Sequence, residues 1–537
     1  MALTETRPDT APIAGETDDG GVQRSQPTVV ENVLGSGDHK TIGRIFIGAS
    51  LLFVATDLVI AALVNIHAGS GGDLLEASIA NRLLLNHPLA LMLCGAMPLL
   101  LGLAIYLVPL QIGSPTIAFP RAAALSLWTW LSATALFSLA LVVKGSYGGS
   151  SEKMTRLGHV SVGLLCVSLL IGVVCVMVTV LSLRTAGMTI GNVPFFSFSM
   201  LATGAVWLVT LPAVLALITV WQIRRPSPSD LEAGAYPAIE WLFHQPSVFM
   251  VAIPLLGLLA DACSSLSGGR QKGYGAIQAM IGAFAALSFG AWAQSGDSRE
   301  TIIWAVSAIV IAIPVIAVLG GSLDTLRQGK LAASGGLALI VSSILLLELA
   351  VLAGAVQAIS WAGDGTLFNV AAGGFAGTGS GAGIVIGQFY LVIAAAVLGG
   401  LGATFHWGSR LWAGGLPSPI GLLLAPLGLL GGLAFGLGHI IMGLATPDAD
   451  VSETLALVSG IGGIVLAVTV LGGFAAVLMG AAGRNSNANT LANAPESTGG
   501  TFEWLTASPP AAGNFAGDLP GVESPYPVLD RNEGASR

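Results

Sequence analysis

Twelve long apolar stretches, separated by short polar breaks, fill the middle of the chain. They lie at about 41–66, 85–110, 121–143, 157–183, 196–221, 240–262, 274–294, 301–320, 334–357, 382–405, 418–444 and 453–481. Each is near or above the ~20 residues a helix needs to cross hydrocarbon. Residues 1–38 are rich in Thr, Asp, Gly and Pro and hold no apolar core segment. That pattern predicts a disordered tail rather than a signal peptide. Residues 484–537 predict a second polar tail, with Asn, Ser, Pro and Gly in excess. The expected organisation is an all-α polytopic membrane domain over 39–483, flanked by these two tails.

Composition agrees. Of 537 residues, 54% are hydrophobic and only 9% charged, against about 25% charged in an average soluble chain. The mean hydropathy is +0.81. The 72 glycines suit helices whose backbones approach closely. The 21 Lys and Arg are scattered without a basic run, which excludes a nucleic-acid footprint. Cys94, Cys166, Cys175 and Cys263 lie in apolar segments without CxxC or Cys/His spacing, so they read as small buried apolar residues. An even number of spans puts both tails on one side. With the tails inside, 14 of the 21 Lys and Arg fall on the inner side, so both termini are expected in the cytoplasm.

Several motifs carry a family likeness. Asp38-His39-Lys40-Thr41-Ile42-Gly43-Arg44 opens the first span. Tyr106-Leu107-Val108-Pro109-Leu110-Gln111-Ile112-Gly113-Ser114-Pro115 follows the second, with Ala118-Phe119-Pro120-Arg121 after it. Further on come Gly187-Met188-Thr189, Pro194-Phe195-Phe196, Pro246 with Val248, Ile253-Pro254 and Trp292-Ala293. Near the end stand Phe502-Glu503-Trp504, Ser508-Pro509-Pro510 and Asn514-Phe515. Over roughly 38–530 the chain resembles subunit I of the heme-copper (cytochrome c) oxidases. The resemblance implies a twelve-helix bundle in a bacterial plasma membrane. It also implies a low-spin heme, a high-spin heme facing copper, and neighbouring membrane subunits of the oxidase II and III kind.

Six histidines ligate the metals in an active member, because neutral imidazole suits iron and copper. Position by position, this chain departs from that set. His87, in Leu85-Asn86-His87-Pro88, matches the low-spin heme ligand. The family's His-Pro-Glu-Val-Tyr on the sixth helix reads Gln245-Pro246-Ser247-Val248-Phe249 here. A copper ligand has thus become Gln245, the proton-shuttling Glu has become Ser247, and the Tyr has become Phe249. The two copper-binding His after the seventh helix match Gln294 and Ser295. The His-Phe-His-Tyr of the tenth helix reads Gly387-Gln388-Phe389-Tyr390. The proton-path Asp and Lys match Thr116 and Val318, the propionate-side His-Asp pair matches Gly379-Ser380, and the Arg pair falls near Asp448 and Ala449.

These departures predict a protein unable to reduce dioxygen, with no copper and a heme only if His87 retains one. The leading expectation is a structural or regulatory subunit of a respiratory-type membrane complex. The alternative is a heme-, ligand- or ion-handling membrane protein that uses His87 or the vacated cavity. A working terminal oxidase is the third reading. His87 itself reads as a hydrogen-bonded core histidine or as a one-sided heme ligand. His244 is expected to point away from Gln245, about 100° around a helix. His67 and His159 are expected near the outer surface, in solvent. Gln245 and Gln294 are expected to pair across helices six and seven, because an amide in hydrocarbon must find partners. Asp57 and Glu348 are intramembrane carboxylates, hence candidates for a proton or ion path or for a bond to a neighbouring helix. The space left by two hemes is expected to close by inward collapse, to be filled by bulky side chains such as Phe249 and Phe389, or to hold a ligand.

Overall fold

In hydrocarbon no water can take up an unpaired backbone N–H or C=O, so apolar stretches of this length have only the helix open to them outside a closed barrel. The computed structural model describes residues 36–224, 235–289, 298–329, 334–362, 380–445, 448–483, 499–511, 513–515 and 517–535. These residues are helical in twelve apolar segments that match the twelve stretches one for one. In chain order they are α1 His39–Gly69, α2 Ala77–Gln111, α3 Pro120–Val142, α4 Glu152–Ser182, α5 Phe195–Ile223, α6 Ile253–Ser267, α7 Tyr274–Leu287, α8 Ile302–Arg327, α9 Gly335–Ile359, α10 Ala382–His406, α11 Ser418–Ala445 and α12 Ala449–Ala481. Ten are long and apolar enough to span a membrane; α6 and α7 are apolar but shorter. Nearly all of the expected first tail lies outside the described residues.

Prolines explain the irregularities. Pro88 lacks the N–H that a helix interior needs, and directly after it α2 widens into a π-helical turn over Ala90–Ala96. Trp130 of α3 donates its indole N–H to the Leu93 carbonyl inside that turn, at 3.3 Å. The sixth stretch differs from its expected single helix over 240–262. A short helix Ala235–Glu240 leads into 3-10 turns at Trp241–Phe243 and Ser247–Val251, and regular helix starts only at Ile253. Pro246 and Pro254 flank the second of these turns. His244 is therefore not on a helix face: its backbone is extended, with φ −89° and ψ 155°, which removes the basis for the expected 100° offset.

The core is built around α2 and α10, the two most enclosed helices. α10 is packed between α9 and α11, α12 closes against α1 and α11, and α3, α4 and α5 follow one another around the other side. The expected second tail contains a docked segment. From residue 499 the chain returns across the end of the bundle where α1 begins. Asn514 donates to the Ser114 carbonyl at 2.8 Å, Lys40 donates to Asn514 Oδ1 at 3.1 Å, and Arg410 donates to the Thr506 carbonyl at 2.6 Å.

Candidate functional site

Two polar networks stand in the apolar interior, both at positions the family likeness singles out. The first surrounds His87, which α2 presents to α10 with 1% exposure. A backbone carbonyl can only accept, so the 3.1 Å contact from Nδ1 to the Leu83 carbonyl places the proton on Nδ1. Nε2 then carries the lone pair, and it accepts the Tyr390 hydroxyl at 2.9 Å. The Tyr390 oxygen in turn accepts from Asn65 Nδ2 of α1 at 3.2 Å. Asn65 Oδ1 accepts from His439 Nε2 of α11 at 2.5 Å. The donation runs in one direction through four helices, from His439 to Asn65, Tyr390, His87 and Leu83. Phe435 stacks on Tyr390 with ring centroids 3.8 Å apart, and this fixes the phenol.

The second network replaces metal ligands by amides. Gln245 Nε2 donates to the Gly354 carbonyl and to Gln357 Oε1 of α9, both at 3.1 Å. Gln245 Oε1 accepts from Gln388 Nε2 of α10 at 3.1 Å, and the same Nε2 donates to the Ala350 carbonyl at 2.9 Å. Trp304 of α8 donates to the Gln245 carbonyl at 3.1 Å. Three glutamines thus tie the lead-in of α6 to α9 and α10. A Cβ at Gly354 would run into the amide tips Gln245 Oε1 and Gln388 Nε2, so a larger residue there would have to push both side chains off their bonds. The expected partner of Gln245 was Gln294, which lies outside the described residues together with Ser295 and Gly379. Both protons on the Gln245 amide already have acceptors on α9.

Close packing occupies several further family positions. A Cβ on Gly387 would lie 2.5 Å from the Gly436 carbonyl and 2.7 Å from Ile440 Cγ1, so α10 and α11 touch backbone to backbone where the likeness implies a histidine. Phe389 is fully buried between Phe243 and Tyr390, at centroid distances of 5.5 and 6.1 Å. Phe249 is buried against Phe284 at 6.1 Å, and Ser247 and Val318 are buried as well. Thr116 sits half-buried in the loop after α2, its carbonyl accepting from Ser114 at 2.6 Å.

Asp57 and Glu348 stay apart from both networks. Each has one buried carboxylate oxygen with no hydrogen-bond partner. His159 is buried, with its ring 4.5 Å from that of Tyr147, which corrects the expected solvated position; aromatic neighbours cover it. Asn65, Tyr390 and Gln357 were not singled out as site residues in the sequence. Asn65 and Gln357 carried a signal all the same, since a side-chain amide in an apolar helix must find a partner.

The side chains at these positions do not fit a heme or a copper ion. An iron needs the imidazole lone pair that Tyr390 occupies, and α10 offers Gly387 and Phe389, neither of which can ligate. Among the described residues no three His, Cys, Asp or Glu side chains converge as a metal site.

Comparison with known proteins matches residues 41–447 to the family described as Cytochrome C and Quinol oxidase polypeptide I. The quinol oxidase subunit 1 of Bacillus subtilis is 27% identical over 323 residues, 55% of this chain and 49% of that protein. The chain thus spans about half the length of that relative. The cytochrome c oxidase subunit 1 of Thermostichus vulcanus is 24% identical over 512 residues, 89% of each chain.

Proposed function

The chain belongs to the Cytochrome C and Quinol oxidase polypeptide I family, and from the side chains at that family's metal positions we propose that it is a subunit I-like membrane protein that does not reduce dioxygen and acts as a structural or regulatory member of a larger membrane complex. One observation carries the reading: the only surviving match to a metal-ligand histidine, His87, has both ring nitrogens engaged, by the Leu83 carbonyl and by the Tyr390 hydroxyl. Oxygen reduction in this family needs imidazole on iron and copper, and the matching positions supply amides, Gly, Ser and Phe instead. The proton-path positions hold Thr116 and Val318, neither of which exchanges a proton near neutral pH. The bundle itself is intact and tightly joined, as a subunit with a scaffold role requires. The excess of Lys and Arg on the side of the two tails supports an orientation with both termini in the cytoplasm.

The test is spectroscopic. Protein purified from its own membranes is expected to lack a Soret band, to hold copper well below one atom per chain, and to consume no oxygen with reduced cytochrome c or quinol. One or more hemes per chain together with oxygen uptake would overturn the proposal. Affinity capture from the native membrane should recover further membrane subunits at fixed stoichiometry; a monodisperse single chain under mild detergent would remove the scaffold role.

A further inference from the structure

Where the C-terminal strap crosses the bundle end, it inserts an acid between the ends of the helices. Glu503, in the 3-10 turn Phe502–Leu505, is 1% exposed. Its Oε1 receives two long contacts, from Gln111 Nε2 of α2 and from Trp407 Nε1, both at 3.4 Å, while Oε2 is buried without a hydrogen-bond partner. Asp261 of α6 is the opposite case. It accepts from the Phe195 and Phe196 amides at 3.1 and 2.9 Å and from Gln111 Nε2 at 3.0 Å. The Ser197 hydroxyl donates to Gln111 Oε1 at 2.7 Å and so fixes which end of the amide faces the acids. A single NH2 group therefore bridges two buried carboxyl groups.

The donors are shared unequally. Asp261 caps the N-terminus of α5, where backbone amides and the helix dipole favour an anion. Glu503 has an empty oxygen in a dry site beside that carboxyl group, and desolvation together with like charge opposes ionisation of both groups at once. The other ionisable groups facing the pair are Arg410 beyond α10, His406 at the end of α10, Tyr274 on α7 and Tyr526 on the strap. Arg410 donates from its two terminal nitrogens to the Thr506 and Trp504 carbonyls, at 2.6 and 3.4 Å, while its Nε is buried without a hydrogen-bond partner. His406 Nε2 is engaged with the Ser265 hydroxyl at 2.9 Å.

We propose that Asp261 and Glu503 form a proton-binding pair that latches the strap: the two carboxyl groups hold one proton between them, and loss of that proton loosens the strap from the bundle. Burial holds the Glu503 carboxyl above its ordinary range, opposed by the contacts from Trp407 and Gln111. A carboxyl whose docked value lies above its free value stabilises docking fully at low pH, and the contribution is lost as pH rises through the docked value. The strap is thus expected to be tightest in acid and to loosen toward alkaline pH.

Hydrogen exchange on the full-length protein in nanodiscs tests this. Protection factors for 499–515, normalised to the intrinsic rate at each pH, are expected to fall about tenfold per pH unit above the docked value, as one linked proton requires. The variant E503Q keeps the shape without the charge; its strap should stay protected and lose the pH slope. An infrared band of a protonated carboxyl should disappear with rising pH in the wild type and be missing in E503Q. Flat protection in the wild type between about pH 5 and about pH 9, or a slope that survives in E503Q, overturns the proposal. If E503Q does not fold, E503D serves, because shortening the side chain must move the midpoint; an unmoved midpoint overturns it equally.

Discussion

Replacing Tyr390 by Phe deletes one oxygen from the middle of the His439–Asn65–Tyr390–His87 chain and leaves the ring that stacks on Phe435 at 3.8 Å in place. The packing contribution therefore cancels and the hydrogen bonds remain. Two are lost: the 2.9 Å bond to His87 Nε2 and the 3.2 Å bond from Asn65 Nδ2. Asn65 Nδ2 keeps the Ala61 carbonyl at 2.8 Å, so its loss is partly compensated, whereas Nε2 of His87 is left buried and empty. A buried group stripped of its partner costs about 1–3 kcal/mol. In membranes the average hydrogen bond is worth only about 0.6 kcal/mol, because the unfolded chain also finds partners there. Together these set an expected loss of about 1–2 kcal/mol, roughly a five- to thirtyfold shift in the folding equilibrium. Reversible unfolding in mixed micelles titrated with anionic detergent, followed by circular dichroism, measures it. A double-mutant cycle of Y390F with H87L isolates the bond itself, with an expected coupling of about 0.6–1.7 kcal/mol. If Y390F lies within about 0.3 kcal/mol of the wild type, or if the two changes simply add, the phenol does not hold the imidazole and the reading of His87 as an engaged histidine fails.

Three further outcomes follow from the packing. G354A drives a methyl group into the amide tips of Gln245 and Gln388, so a loss of about 1–3 kcal/mol is expected in the same assay; a neutral effect would mean the three glutamines are not joined. G387H restores a histidine at a former ligand position but must push α11 away from the Gly436 carbonyl, 2.5 Å from the new Cβ. It should destabilise by about 1–3 kcal/mol or more and still give no Soret band; a stoichiometric heme would show that missing imidazole alone, and not the closed interface, is the obstacle. R270A breaks half-exposed ion pairs with Asp530 at 2.6 Å and Glu533 at 3.2 Å on the strap. Its cost should stay under about 1 kcal/mol and shrink with added salt, and a thermal shift that ignores salt would assign Arg270 another role.

The bundle was legible because hydrocarbon leaves so little choice. Any twenty-residue apolar stretch such as 382–405 must satisfy its own backbone, and only a helix does so in an open segment. The lead-in of α6 was less legible, since hydropathy is blind to Pro246 and Pro254 and runs straight across them. That one misreading had consequences for the site. The irregular backbone delivers Gln245 to Gly354, Gln357 and Gln388, partners that a continuous helix over 240–262 did not suggest. His87 was found through its motif, but its partner was not, because Tyr390 lies 303 residues away and a pairwise contact at that range leaves no periodic trace. His159 was expected near the outer surface in solvent, and the rings of Tyr147 and Trp221 cover it instead.

The substitutions gain meaning from being mutually consistent. Removing a histidine from a metal site usually leaves a hole and an unpaired neighbour, and both are costly in a close-packed interior. At three of the described positions the surroundings match the substitution, although Gln388 Oε1 is left buried without a hydrogen-bond partner. Gln245 meets Gln388 across a glycine that leaves them room, Gly387 lets α11 close against α10, and Phe389 lies between the rings of Phe243 and Tyr390. The lone pair that would face iron is taken by a hydroxyl whose own lone pair is taken by Asn65. A chain that had merely lost its ligands would have no reason to retain this complementarity through four helices. This packing of amides, glycine and phenol at the described family positions is the feature on which the proposed metal-free role rests.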